Sequence, residues 1–183
     1  MIDSRNVIFI LGSCMVMVLF SVSCGGIGWS SSSLEGVEAS IGLWKYCASF
    51  EITICKDIPA VPLNWKIIRA FIILAVVSSF VATLTSCLAL INSRSFKYAG
   101  VWMLLAVCFG LFAVVTFTID FENEKRSTPA NVGSTRYDWA YGLCWAAVGL
   151  GILVTAFAVR VGYQEKYAGP PGAQRFGVTI QLK

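Results

Sequence analysis

Residues 41–56 read IGLWKYCASFEITICK, a polar, cysteine-bracketed stretch between two long apolar runs. Within it, Phe50, Ile52 and Ile54 alternate with Glu51 and Thr53. A period of two predicts a strand with one apolar and one polar face. The preceding piece, from Ile41 to Cys47, is also rich in strand formers. The pattern predicts a hairpin, with Cys47 and Cys55 as candidates to staple its arms. Cys24, at the edge of the first apolar run, is the rival partner, and two free thiols in a loose loop is the alternative.

Outward from this stretch, nearly everything is apolar. Of 183 residues, 57% are hydrophobic and only 13% charged, with mean hydropathy +0.73. A soluble domain is nearer about 25% charged, so lipid is the expected solvent, and the length suits one domain. Runs at 7–27, 67–91, 99–119 and 137–161 are each long enough to cross a hydrocarbon core of about 30 Å, which takes about 20 helical residues. Arg5, the apolar core and Ser21-Val22-Ser23 also fit a cleaved signal peptide, and Ser21 to Cys24 faintly resembles a lipoprotein cleavage box. The three further runs and the lack of a polar break favour an uncleaved first span.

Four segments join or follow the spans: 28–66, 92–98, 120–136 and the tail 162–183. Pro59 and Pro62 stop any helix from running continuously into the second span. Arg69, near the start of that span, is placed to snorkel to the interface. Tyr137, Trp139 and Tyr141 form an aromatic belt at the start of the fourth. The tail, with Gly169-Pro170-Pro171-Gly172, reads as disordered. Orientation follows the lysines and arginines of short loops. The 92–98 connection carries Arg94 and Lys97 without an acid, and the chain after the fourth run carries Arg160, Lys166, Arg175 and Lys183 against Glu165. The 28–66 and 120–136 loops carry acids that match or exceed their bases. Both termini and the middle loop therefore read as cytosolic, and the two larger loops as extracellular, where a disulfide is permitted. Closing so short a loop would contribute roughly 2.5 kcal/mol on a chain-entropy estimate, a useful amount because an isolated hairpin is marginal in water.

Several functions are disfavoured. The chain has no histidine, the commonest general base and metal ligand, and no CxxC pair. No cofactor is expected. The acids Asp120, Glu122 and Glu124 sit beside Lys125 and Arg126 and read as a solvated run rather than a catalytic cluster. No charged residue lies at the centre of a span, which argues against an ion or proton path through the bundle. Nothing supports nucleic-acid binding. Ala146 to Gly151 and Gly110 allow close helix packing, within the chain or between copies. Cys87 is a candidate for palmitoylation or for the core.

Four spans with cytosolic ends, a larger first loop and the ordered set Trp29, Gly42-Leu43-Trp44, Cys47, Cys55 and then Arg69 resemble the claudin / peripheral myelin protein / epithelial membrane protein superfamily. The resemblance covers the whole topology, and its specific part spans about forty residues. It implies a left-handed four-transmembrane-helix bundle with a small extracellular antiparallel β-sheet, an all-α membrane protein otherwise. It also implies that Trp29 and Trp44 anchor the sheet on the bundle with the disulfide behind them. In claudins such sheets line paracellular seals or channels, and the residue after the second cysteine helps to set charge selectivity. Here that residue is Lys56, whose charge the adjacent Asp57 would offset. Phe121 in the second loop is a candidate contact to a facing molecule. The departures are a short Cys47–Cys55 loop, an end in Gln181-Leu182-Lys183 rather than Tyr-Val, and no Asn-X-Ser/Thr sequon. Two functions follow: a junction protein of the plasma membrane that assembles with like copies in cis and in trans, or an auxiliary subunit in an ion-channel complex. The expected partners are thus membrane lipid with either its own copies or a channel.

Overall fold

The computed structural model describes residues 4–34, 37–49, 52–58, 61–90, 96–127 and 134–167. Four helices, α1 (Ser4–Gly25), α2 (Leu63–Leu88), α3 (Phe96–Ser127) and α4 (Trp139–Tyr167), form the bundle. Each contains a segment long and apolar enough to cross a membrane: Asn6–Gly25, Leu63–Leu88, Lys97–Ser127 and Trp139–Val161. α1 packs on α2 and α4, and α3 packs on the same two, which closes a ring.

Lipid offers no hydrophobic force between helices, so close van der Waals approach must hold the ring together. The small residues supply it. A Cβ on Gly110 of α3 would stand 2.5 Å from the Phe20 ring of α1, and one on Gly151 of α4 would stand 2.6 Å from Val107. The α2 face toward its neighbours buries Ala75, Ser78, Ser79, Ala82, Thr83 and Ser86. Ser79, Thr83 and Ser86 donate to carbonyls three or four residues back on their own helix, at 2.8, 2.9 and 2.6 Å. These hydroxyls therefore add no unpaired polar group to the interface.

A five-stranded antiparallel sheet caps the end of the bundle where α1 and α3 finish and α2 and α4 begin. It contains β1 (Ser30–Leu34), β2 (Val37–Ile41), β3 (Lys45–Ser49), β4 (Thr53–Asp57) and β5 (Ser134–Tyr137), in the order β4-β3-β2-β1-β5. The hairpin forms, with Cys47 directly opposite Cys55 and the two joined in a disulfide. Its arms differ from the expected ones. Ile41 ends β2, Gly42 to Trp44 form a three-residue turn closed by the Gly42 amide on the Lys45 carbonyl at 2.8 Å, and β3 begins only at Lys45. The second arm starts at Thr53 rather than at Phe50. Phe50 and Glu51 lie outside the described residues. No apolar face is buried on β4: all five residues are exposed, Ile54 included. β4 is an edge strand, and among the described strands only β3 adjoins it.

The helices also depart from the expected spans. α2 starts at Leu63, directly after Pro62 at its N-cap, because proline's fixed φ suits a helix start. α3 does not end near Ile119 but continues to Ser127. The residues read as the front of a polar loop, Asp120 to Ser127, include the good helix formers Glu122, Glu124, Lys125 and Arg126, and Lys125 and Arg126 in the last turn complement the helix dipole. α4 continues to Tyr167, past the expected limit at 161. The remainder of the tail and most of the 92–98 connection lie outside the described residues.

Candidate recognition surface

The two tryptophans of the motif act on one feature, the exposed end of α1. The last carbonyls of a helix have no partner within it. The Trp29 indole N–H donates to the Ser23 carbonyl at 2.8 Å, and the Trp44 indole N–H donates to the Cys24 carbonyl at 2.9 Å. Two of the four orphan acceptors of α1 are thus capped by side chains from the sheet. A third link runs the other way: the Ser23 hydroxyl donates to the Ala140 carbonyl of α4 at 2.8 Å.

Trp29 is wholly buried. Its ring meets Phe117 of α3 edge-on at 4.9 Å and Tyr141 of α4 at 6.4 Å. Its backbone is engaged as well. The amide donates to Ile41 at 3.0 Å, and its carbonyl accepts from Asp138 at 3.3 Å. The Gly28 carbonyl accepts from the Ala140 amide at 2.7 Å, at the first turn of α4. One dipeptide therefore joins α1, the sheet and α4. Leu43 is also buried, whereas Trp44 keeps about a third of its surface exposed.

Arg69 lies nearly two turns into α2, is half-buried and turns onto the 42–44 turn. Its Nε donates to the Leu43 carbonyl at 2.7 Å, and its guanidinium stacks over the Trp44 ring at 4.8 Å. Nη2 is buried without a hydrogen-bond partner. A lysine cannot reproduce a flat cation that donates sideways while stacking. Arg69→Lys is therefore expected to destabilise the sheet–bundle junction by about 1.5–3 kcal/mol, the range for losing a hydrogen bond from a charged group. Thermal unfolding of the purified protein checks this, and an unchanged midpoint would contradict it.

Phe121 requires correction as a contact for a facing molecule. Because α3 continues past Ile119, Phe121 sits on a helix, buried against Tyr137 at 4.5 Å and stacked with Phe117 at 6.0 Å. It is core, joining β5 to the bundle. Tyr137 donates to the Glu122 carboxylate at 2.9 Å. Burial first, and then that carboxylate, push the phenol's pKa up, so it stays neutral and remains a donor.

Lys56 and Asp57 lie on opposite faces of β4. Successive side chains of a strand point to opposite faces. Asp57 faces Lys45 across the ladder and pairs with it at 3.7 Å, both side chains being well exposed. Lys56 stands opposite Tyr46. β4 thus presents an outer edge carrying Ile54 and Lys56, with Ile52 three-quarters exposed just before it. The apparatus around Trp29 and Arg69 fixes the position of this edge on the bundle. Neither the indole-to-carbonyl caps nor the fifth strand was readable beforehand. The resemblance implied that Trp29 and Trp44 anchor the sheet on the bundle, but not that their indoles donate to the carbonyls at the end of α1.

Comparison with curated proteins finds no match. The family model described as the PMP-22/EMP/MP20/Claudin family matches residues 6–158, a stretch that takes in α2, α3, the five described strands and most of α1 and α4, and the chain belongs to that family.

Proposed function

We propose that this protein is a claudin-like junction protein of the plasma membrane, with both termini in the cytosol and the sheet outside the cell. In this reading it assembles with copies beside it and with copies on the apposed cell, and its extracellular loops form a paracellular barrier or channel. The observation that carries the reading is a sheet, stapled at Cys47–Cys55 and capped onto α1 by two indoles, that carries an exposed edge strand. A platform of this kind suits contact with another protein. The span centres contain no charged residue that could serve a pathway through the bundle. Any ion selectivity would then arise along the sheet.

Expression in adhesion-poor cells tests this. The protein should concentrate at contacts between expressing cells and change ion permeability across a monolayer. Uniform distribution with unchanged permeability would contradict it. Lys56 supplies a finer test. A unit charge acts with about 1 kcal/mol at 4 Å in water, and reversing the charge acts on cation and anion in opposite senses, so Lys56→Glu should raise cation over anion permeability by at least about fivefold. Dilution potentials read this ratio directly.

A second reading is an auxiliary subunit of an ion channel, favoured by the short stapled hairpin and by β4 itself. Its outer edge is open to pairing with a strand from another protein. Co-purification of a stoichiometric channel, without homotypic assemblies, would favour this reading over the first.

A further inference from the structure

A cavity of about 640 Å³ lies between the bundle-facing side of the sheet and the ends of α2 and α3. That volume falls within the range of small-molecule sites, roughly 300–1,000 Å³. Its inner wall is formed by the half-buried Trp65 and, beneath it, by the largely buried rings of Phe117 and Phe121, with Trp65 edge-on to Phe117 at 6.1 Å. Phe117, Asp120, Phe121 and Glu124 recur at helical spacing on α3 and so share one face. The cavity exists because α3 continues as a helix to Ser127. Its roof carries the hydroxyls of Ser30, Ser32 and Thr135; Ser32 and Thr135 are register partners and so point to the same side of the sheet. The rim holds Asp120, Glu124 and Lys125, a net charge of minus one. Asp120 is held in place by the Asn64 amide at 3.0 Å.

Aromatic faces attract cations electrostatically and need no hydrogen-bond donor in return. Carboxylates at the rim select the same sign, and the apolar wall suits a cation clothed in methyl groups better than a hydrated metal ion. The level is also informative. Asp120 is the first charged residue after the apolar run of α3, so the cavity opens where hydrocarbon gives way to headgroups. We propose that this cavity binds a quaternary ammonium group of the choline type. That group could come from the headgroup of a choline phospholipid in the sheet-side leaflet or from a free choline-like cation. Lys125 lies beside the acids where it disfavours the bare cation.

The test uses the full chain in nanodiscs of phosphatidylglycerol, with choline chloride titrated against sodium chloride at equal ionic strength. A ligand that binds only the folded state raises the unfolding temperature with concentration, so choline should raise it by several degrees above the sodium control. Asp120→Asn together with Glu124→Gln keeps an oxygen acceptor for Asn64 and removes both charges, and it should weaken choline at least tenfold. Lys125→Gln, which leaves the wall intact, should tighten choline severalfold, a gain that general damage to the fold cannot mimic. Repeating the titration in phosphatidylcholine nanodiscs separates the sources: loss of the choline shift there means that the lipid headgroup fills the site, and its persistence means that the free cation does. No shift beyond sodium in phosphatidylglycerol, or an equal shift in the double variant, would overturn the proposal.

Discussion

Trp29→Ala should remove the protein from the cell surface. The side chain is wholly buried, and truncating a buried Trp costs about 3–5 kcal/mol. That loss is concentrated where the sheet meets the bundle. The Ser23 carbonyl loses its indole donor, and the Phe117 and Tyr141 rings lose the edge-on partner between them. The whole stability of a typical domain is only about 5–15 kcal/mol, and the four spans insert without needing this contact. The expected product is a membrane-inserted chain with an undocked sheet, retained inside the cell. Surface biotinylation measures this. Trp29→Phe should recover part of the loss, since it keeps a ring against Phe117 but has no N–H for Ser23. Equal surface levels for wild type and Trp29→Ala would show that the indole does not hold the sheet in place.

Gly42→Ala should be nearly as damaging, through contact with backbone rather than through loss of contact. A Cβ at residue 42 would lie 2.5 Å from the Gly26 carbonyl oxygen and 2.6 Å from the Ile27 Cα. Neither atom belongs to a side chain that could swing away. Relief requires the 42–44 turn to rise off the segment after α1, and that motion pulls Trp44 from the Cys24 carbonyl and Leu43 from Arg69. Forcing extra atoms into a well-packed site typically costs about 1–3 kcal/mol, and the coupled contacts add to it. Thermal unfolding should fall by several degrees. Trp44 fluorescence, read in a background with Trp65, Trp102, Trp139 and Trp145 replaced by Phe or Tyr and the wholly buried Trp29 kept, should shift to the red as the ring enters water. A midpoint equal to wild type would contradict the close approach.

The glycine explains why the motif reads as it does. Gly42 lets the turn lie on the chain leaving α1, Leu43 fills the gap beneath, and Trp44 reaches the orphan carbonyl of Cys24. The three residues are successive steps of one docking contact.

The spans were legible because lipid demands it: each must offer about 20 apolar residues, and no soluble fold imposes so plain a pattern. The Cys47–Cys55 staple was legible as a candidate because the alternation between the cysteines called for a hairpin. The pattern misled about its arms, since strand formers in residues 41–47 conceal the turn that Gly42 requires. β1 was not legible at all. Ser30 to Ser33 are not strand formers, and they become an inner strand only because β2 and β5 on either side satisfy their backbone. The far end of α3 was missed for a related reason. Charges from Asp120 onward show where the chain leaves hydrocarbon, but they do not show where a helix stops. Phe121 was consequently assigned to a loop and a facing molecule, when the continued helix turns it into the core. The indole caps need three-dimensional proximity: orphan carbonyls at the end of α1 are certain in advance, but the identity of their donors is not.

Both proposed roles require the stapled sheet to stand outside the cell. Intact cells expressing the protein are treated with a membrane-impermeant phosphine and then with a membrane-impermeant maleimide, and the label on the chain is compared with and without reduction. The prediction is a gain of label on reduction in intact cells, absent from the variant with both Cys47→Ser and Cys55→Ser. Full labelling of Cys47 and Cys55 without reduction, or a gain seen only after the cells are permeabilised, would contradict it.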